Sequence, residues 1–215
     1  DILGSKLSEY IVNSKSYDLI AKADLPSIVL NEEKLYPAKD KSIPTISNHK
    51  NKLAVINLYN GVTLEEGIKS NSSINEFAQN LVKGSSTDKE KAKKIYIWIG
   101  ENIKYDDEKA KLIEKENKNL KSGAITAFEN KEGVCFDYSC LYVAMCRAVG
   151  LKVKLVTGTA FNGKQWGPHA WNEVYLSEKN EWINVDTTFY NEKNSFGGKN
   201  FNETHKAENI IGEWK

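Results

Sequence analysis

The sequence predicts an α+β fold, with helices first along the chain and an antiparallel sheet after them. Three observations carry that reading. Residues 133–150, GVCFDYSCLYVAMCRAVG, are apolar on nearly all sides, as expected of a helix buried at the centre of a domain. LKVKLVTGTAF (151–161) alternates like a half-buried strand. HAWNEVYL (169–176) and EWINVDTTF (181–189) read as two further strands joined by the polar SEKN.

Taken in order, residues 1–50 are punctuated by Pro26, Pro37 and Pro44, and LSEYIVNSKSYDLIAKA within them has helical composition. This part carries no chemistry of its own and is expected to be an arm or extension. KLAVINLYNGV (52–62) is β-rich and ends in Asn60-Gly61, a turn signal. SINEFAQNLVKGSS (73–86) predicts a short helix stopped near Gly84. A second helix follows, capped by Ser86 or Thr87. Its apolar stripe runs through Ala92, Ile95, Tyr96 and Ile99 and is extended by Ile103, with Trp98 beside it as core. DDEKAKLIEKENKNLKS (106–122) is read as a solvated helix or loop, with a place on the rim of the site as the alternative. Gly150 stops the central helix. The expected organisation is an extension over 1–74, a core over 75–192, and a tail over 193–215 packed on that core.

Bulk composition narrows the function. At 215 residues the chain fits one domain with an ordinary core, or one domain plus an extension. Charged residues make up 27% and the net charge is +1, so nothing electrostatic favours nucleic acid or an anionic membrane as partner. No apolar run is long enough to span a bilayer. The first residues do not form a signal peptide and lack an initiating Met. That leans toward an exported or cell-envelope setting after loss of a leader, with the cytoplasm as the alternative.

Three cysteines, Cys135, Cys140 and Cys146, fall on the predicted central helix. The odd count and the helical spacing argue for free thiols. No C-x-x-C or H-E-x-x-H spacing occurs, so neither a zinc site nor another cofactor is expected. Cys135 differs from the other two because it opens the helix. There, unpaired backbone N–H groups and the positive end of the dipole favour an anion such as a thiolate. Gly133 just before it lets backbone and substrate approach. Cys140 and Cys146 lie deeper and read as small core side chains.

A nucleophilic cysteine needs a base, and an imidazole base needs an orienting partner. His49 lies in a polar, Lys-rich loop and His205 in a polar tail. His169 instead opens a strand, directly after Gly167-Pro168. If His169 faces Asp186 in the following hairpin, Trp171 pairs with Asn184, Glu173 with Trp182, and the turn falls at Ser177–Glu178. Singly, each of these residues has an ordinary structural reading, as core thiol, satisfied histidine or turn aspartate. Together and in this order they make a complete Cys-His-Asp set.

With those residues in view, EGVCFDYSCLYVAMCRAVGLKVKLVTGTA, GPHAWNEVYL and EWINVDTTF resemble the core of the transglutaminase-like superfamily, bacterial-type members included. The shared elements are Gly133 and Cys135, Arg147–Gly150, His169 with Trp171, and Trp182 with Val185-Asp186-Thr187-Thr188. KAKKIYIWIGENIKYD resembles the helix that commonly precedes this core, so the likeness covers roughly residues 75–190. It implies a papain-like fold, with Cys135 as nucleophile, His169 as general acid/base and Asp186 as orienter of the imidazole. It also implies an oxyanion hole whose first donor is the Cys135 N–H.

The chemistry so implied is acyl transfer on protein or peptide amide groups through a thioester. Hydrolysis by a peptidase or amidase is the alternative, and a noncatalytic cell-surface binding module is the second. Trp166, in the loop FNGKQWGP, and Trp171 are the expected substrate contacts. Trp171 and Trp182 are otherwise read as packing walls beside the catalytic groups.

Overall fold

The computed structural model describes residues 28–31, 34–37, 58–115 and 120–215. The chain divides into two compact units, residues 1–57 and 58–215. In the first, β1 (Ile28–Asn31) and β2 (Lys34–Pro37) form an antiparallel hairpin. The helix expected over 7–23 lies outside the described residues.

The second unit opens with a two-residue hairpin, β3 (Leu58–Tyr59) and β4 (Val62–Thr63). Asn60 and Gly61 turn it with φ of 53° and 92°, the left-handed pair that a tight primed turn requires. Among the described residues the unit's first helices are α1 (Leu64–Gly67), α2 (Ser72–Leu81), α3 (Asp88–Asn102) and, after the short β5 (Lys104–Tyr105), α4 (Asp107–Glu114). Thr87 caps α3 by accepting the Glu90 N–H at 3.1 Å, while Glu90 reaches back to the Ser86 N–H at 2.7 Å. Ala92, Ile95, Tyr96 and Ile99 bury the predicted face.

The sequence gives no clear signal for the seven-residue α5 (Ala124–Asn130), which is too short to develop a periodic stripe. The two-residue β6 (Glu132–Gly133) then pairs in parallel with β5 and leads into α6 (Cys135–Ala148). Every residue of α6 from Phe136 to Cys146 is buried, so this helix is the centre of the fold, as its apolar pattern predicts.

β7 (Val153–Phe161), β8 (Trp166–Leu176), β9 (Glu181–Val185) and β10 (His205–Trp214) form one antiparallel sheet in the order β10-β7-β8-β9. Ala170, Val174 and Leu176 of β8 join α6 in the main core. Asn172 pins the two elements together, donating to the Ser139 and Lys154 carbonyls at 3.2 and 3.0 Å. The expected C-terminal tail, 193–215, ends in a strand paired with β7 from His205↔Ala160 to Trp214↔Val153. Two irregularities in that pairing break the two-residue alternation, which hides the strand in the sequence. Among the described residues, no helix is long and apolar enough to cross a membrane.

Candidate functional site

Cys135 is the first residue of α6, partly buried at the mouth of a cleft. What fixes this helix start is Asp137, which is wholly buried. Its carboxylate accepts the N–H of Val134 at 2.8 Å and of Gly123 at 2.7 Å, and the Lys109 ammonium at 2.6 Å. Lys109 also donates to the Lys121 carbonyl at 2.7 Å. One carboxylate therefore joins α4, the loop before α5 and the entrance of α6. A Cβ at Gly133 would stand 2.6 Å from the Asp137 Cβ, so the glycine makes room for the buried Asp137 side chain.

The charged stretch around α4 forms part of the rim. Lys109 is buried against Asp137, and Ala110, Ile113 and Glu114 line the cleft. Tyr59 and Tyr105 line it too. The Tyr105 phenol is pushed up to about 12, by desolvation first and then by Cys135 and nearby carboxylates, although 45% of the residue is exposed. It therefore stays a hydroxyl donor at neutral pH.

His169 lies on β8, 9% exposed, with Phe189 stacked on it at 4.6 Å. Its Nε2 meets Asp186 Oδ2 at 2.8 Å. Asp186 follows the end of β9 and is fully buried. Its Oδ1 accepts the N–H groups of Thr188 at 2.9 Å and Phe189 at 3.2 Å, a local turn that sets the carboxylate before any partner arrives. Burial opposes ionisation of Asp186, but His169 and His205 outweigh it and hold the carboxyl well below its usual range. Burial likewise works against the His169 cation. The Asp186 charge, its hydrogen bond and the Cys135 thiol prevail and push the imidazole up to about 10. With Nε2 given to Asp186, Nδ1 is the nitrogen left for the thiol. The Cys135 side chain adds to this rise through both a hydrogen bond and its charge.

Cys135 and His169 line one cleft of about 410 Å³, with Asp186 immediately behind the imidazole. The register that unites His169 and Asp186 is not the one expected. β8 and β9 pair Asn172↔Val185 and Glu173↔Asn184, two residues off, because Ser177–Asn180 form a four-residue turn with Asn180 at φ 54°. Asp186 lies one step beyond the ladder.

Trp171 is 2% exposed and packs with Val156 and Phe201, so it offers no surface to a substrate. Trp166 is 41% exposed, under Lys206 and against Phe161, and is not among the cleft-lining residues. Trp182 pairs with Tyr175 near the turn end of the hairpin, with Lys154 over its ring, far along the strand from the expected wall beside the imidazole.

The residue that sequence reasoning misses is His205. It opens β10, is 5% exposed, and places Nε2 2.9 Å from Asp186 Oδ2, the same oxygen that His169 uses. The ligand-type atoms of His169, Asp186 and His205 lie within 4.8 Å of one another. Two donors on a tetrahedral zinc stand about 3.3 Å apart. The separations of 2.8 and 2.9 Å are those of charge-assisted hydrogen bonds, and the carboxylate already accepts four donors.

The family described as the transglutaminase-like superfamily matches residues 75–187. Kyphoscoliosis peptidase of Mus musculus is 33% identical over 128 residues, 55% of this chain and 18% of the relative. That of Homo sapiens is 28% identical over 164 residues, 72% and 23%. The chain thus spans about a fifth of the length of these relatives. Among solved structures, a proposed cysteine protease from Cytophaga hutchinsonii is similar at 27% identity over 54% of this chain and 37% of that one, with TM-score 0.43. A TGase is similar at 21% identity over 56% and 32%, with TM-score 0.44.

Proposed function

The chain belongs to the transglutaminase-like superfamily, and on that premise we propose that it is a cysteine-dependent acyltransferase acting on carboxamide groups of proteins or peptides. The observation that carries this reading is the His169–Asp186 hydrogen bond directly behind a cleft that Cys135 lines. In the proposed reaction the Cys135 sulfur attacks the carboxamide carbon, and a C–S bond forms. The oxyanion is received by first-turn N–H groups of α6, that of Cys135 first. The C–N bond then breaks, and the departing nitrogen takes the proton held by His169. An amine next attacks the thioester, its proton passes to the imidazole, and the thiol is released.

The acceptor decides the outcome, because water at about 55 M competes with any amine. Among the described residues the cleft lining carries Glu114 and Glu208 and no lysine or arginine, which favours approach of a cationic amine. Hydrolysis of a peptide bond is the second reading, favoured by the relatives named as peptidases.

Incubation with a glutamine-containing protein and a labelled primary amine, beside Cys135→Ala, separates the cases. Incorporation lost in the variant supports transfer. Ammonia or new amino termini without incorporation supports hydrolysis. Neither product, with an unreactive Cys135, supports a binding module.

A further inference from the structure

We propose that His205 is a positioning residue for this chemistry, acting through Asp186: it takes a share of Oδ2 and so limits how tightly that carboxylate holds the His169 imidazolium. The inference rests on the acyl-transfer reading above. It concerns a residue beyond the matched span 75–187.

The geometry carries it. Asp186 Oδ2 receives His169 Nε2 at 2.8 Å and His205 Nε2 at 2.9 Å, so two imidazoles compete for one oxygen. His205 is held rigidly for that purpose. Phe201 stacks on its ring at 3.8 Å, Trp171 meets it edge-on at 5.2 Å, and Nδ1 lies 2.9 Å from Thr204 Oγ1. Oδ1 is anchored separately by the Thr188 and Phe189 N–H groups. The carboxylate therefore keeps its place without His205, and what changes is the charge left for His169.

Hydrogen bonds to a carboxylate stabilise its charge, and charge drawn toward one donor is withheld from the other. A neutral His205 weakens the hold on the His169 cation in this way. A protonated His205 weakens it further by repulsion, so both forms act in one direction. The need is mechanistic. A buried aspartate with a single imidazole partner would stabilise the imidazolium so strongly that its proton is slow to leave.

The titratable groups facing His205 are Asp186 and His169, with Cys135 beyond the latter. Its other neighbours, Phe201, Thr204, Trp171 and Phe189, do not titrate in this range. On its own strand Lys206 lies over Trp166, and Glu208 lines the cleft.

The test is the rate of Cys135 alkylation by iodoacetamide against pH, read by mass spectrometry on the Cys135 peptide. It needs neither acyl donor nor acceptor. In His205→Asn the amide stands where Nδ1 was and Oδ2 loses its second donor; in His205→Gln the amide nitrogen reaches the Nε2 position. The alkaline step, where His169 gives up its proton, is expected to move up by about half a pH unit or more in the Asn variant. In the Gln variant it should stay near the wild-type position. His205→Phe, which keeps the aromatic stack, is read like Asn if that variant does not fold. A wild-type step that Asn or Phe leaves in place, or moves down, overturns this proposal alone. A wild-type profile with no alkaline step overturns the acyl-transfer premise as well.

Discussion

His169 Nε2 reaches Asp186 Oδ2 at 2.8 Å although the two residues are not opposite one another in the sheet. The ladder ends at Asn172↔Val185, and Asp186 begins the turn that follows. That turn, and not strand pairing, aims the carboxylate. The aspartate is held by backbone N–H groups on one oxygen and by imidazoles on the other, so its identity matters more than its shape.

Asp186→Asn should therefore preserve the fold and cripple the chemistry. An amide can present its NH₂ to His169 and invert the tautomer. The expected loss is about 10⁴-fold in the acylation rate, the scale that such a change has in other triads. Stopped-flow measurement of acylation in the variant checks it.

The three thiols should react in a fixed order. Cys140 and Cys146 are fully buried, and burial pushes both thiols up. Cys135 is partly exposed on the cleft. Under native conditions a maleimide should label Cys135 alone, and the other two only after denaturation. Peptide mapping reads the order.

Stability should fall on both sides of a window set by the His169–Asp186 pair. The imidazole is raised from 6.5 to about 10 in the fold, so its contribution is complete below about 6.5 and is lost as pH rises through about 10. The carboxyl is lowered from 3.8, so its contribution is complete above about 3.8 and is lost as pH falls through the depressed folded value. Tm is expected to be highest between about pH 4 and 6.5 and to decline toward 10. In His169→Gln the alkaline decline should flatten.

Lys109 and Asp137 form an ion pair in which both partners are buried. Lys109→Met leaves the carboxylate without its cation and should cost about 3–5 kcal/mol. Adding Asp137→Asn removes the orphaned charge and should recover part of that loss. Urea denaturation of the single and double variants measures the coupling. Because Asp137 also holds the Val134 N–H, the single variant should slow Cys135 labelling too.

The sequence reveals more of the site than of its surroundings, for physical reasons. The central helix is legible because it is apolar all round, and Cys135 because it opens that helix; His169 does not open its strand as expected but stands three residues inside β8, and Asp186 lies just past β9. The hairpin register is off by two and Asp186 falls one step past the ladder, so the turn at 186–189, which strand arithmetic does not contain, is what brings its carboxylate to His169. His205 is hidden by the irregular pairing of β10, which leaves HKAENIIGEW without a strand period. Lys109 is hidden because one buried lysine within a charged run leaves no trace in composition. Gly133 is visible as a glycine, but its reason, the Asp137 carboxylate beneath it, needs the folded helix entrance.

Whether Cys135 is a nucleophile activated by His169 is decided by acylation with p-nitrophenyl acetate, which requires no knowledge of the natural substrate. The expected result is a nitrophenolate burst of about one equivalent, an acetyl group on the Cys135 peptide, loss of both in Cys135→Ala, and slow formation in His169→Gln. An undiminished burst in Cys135→Ala, or an acetyl group carried only by other residues, would contradict it.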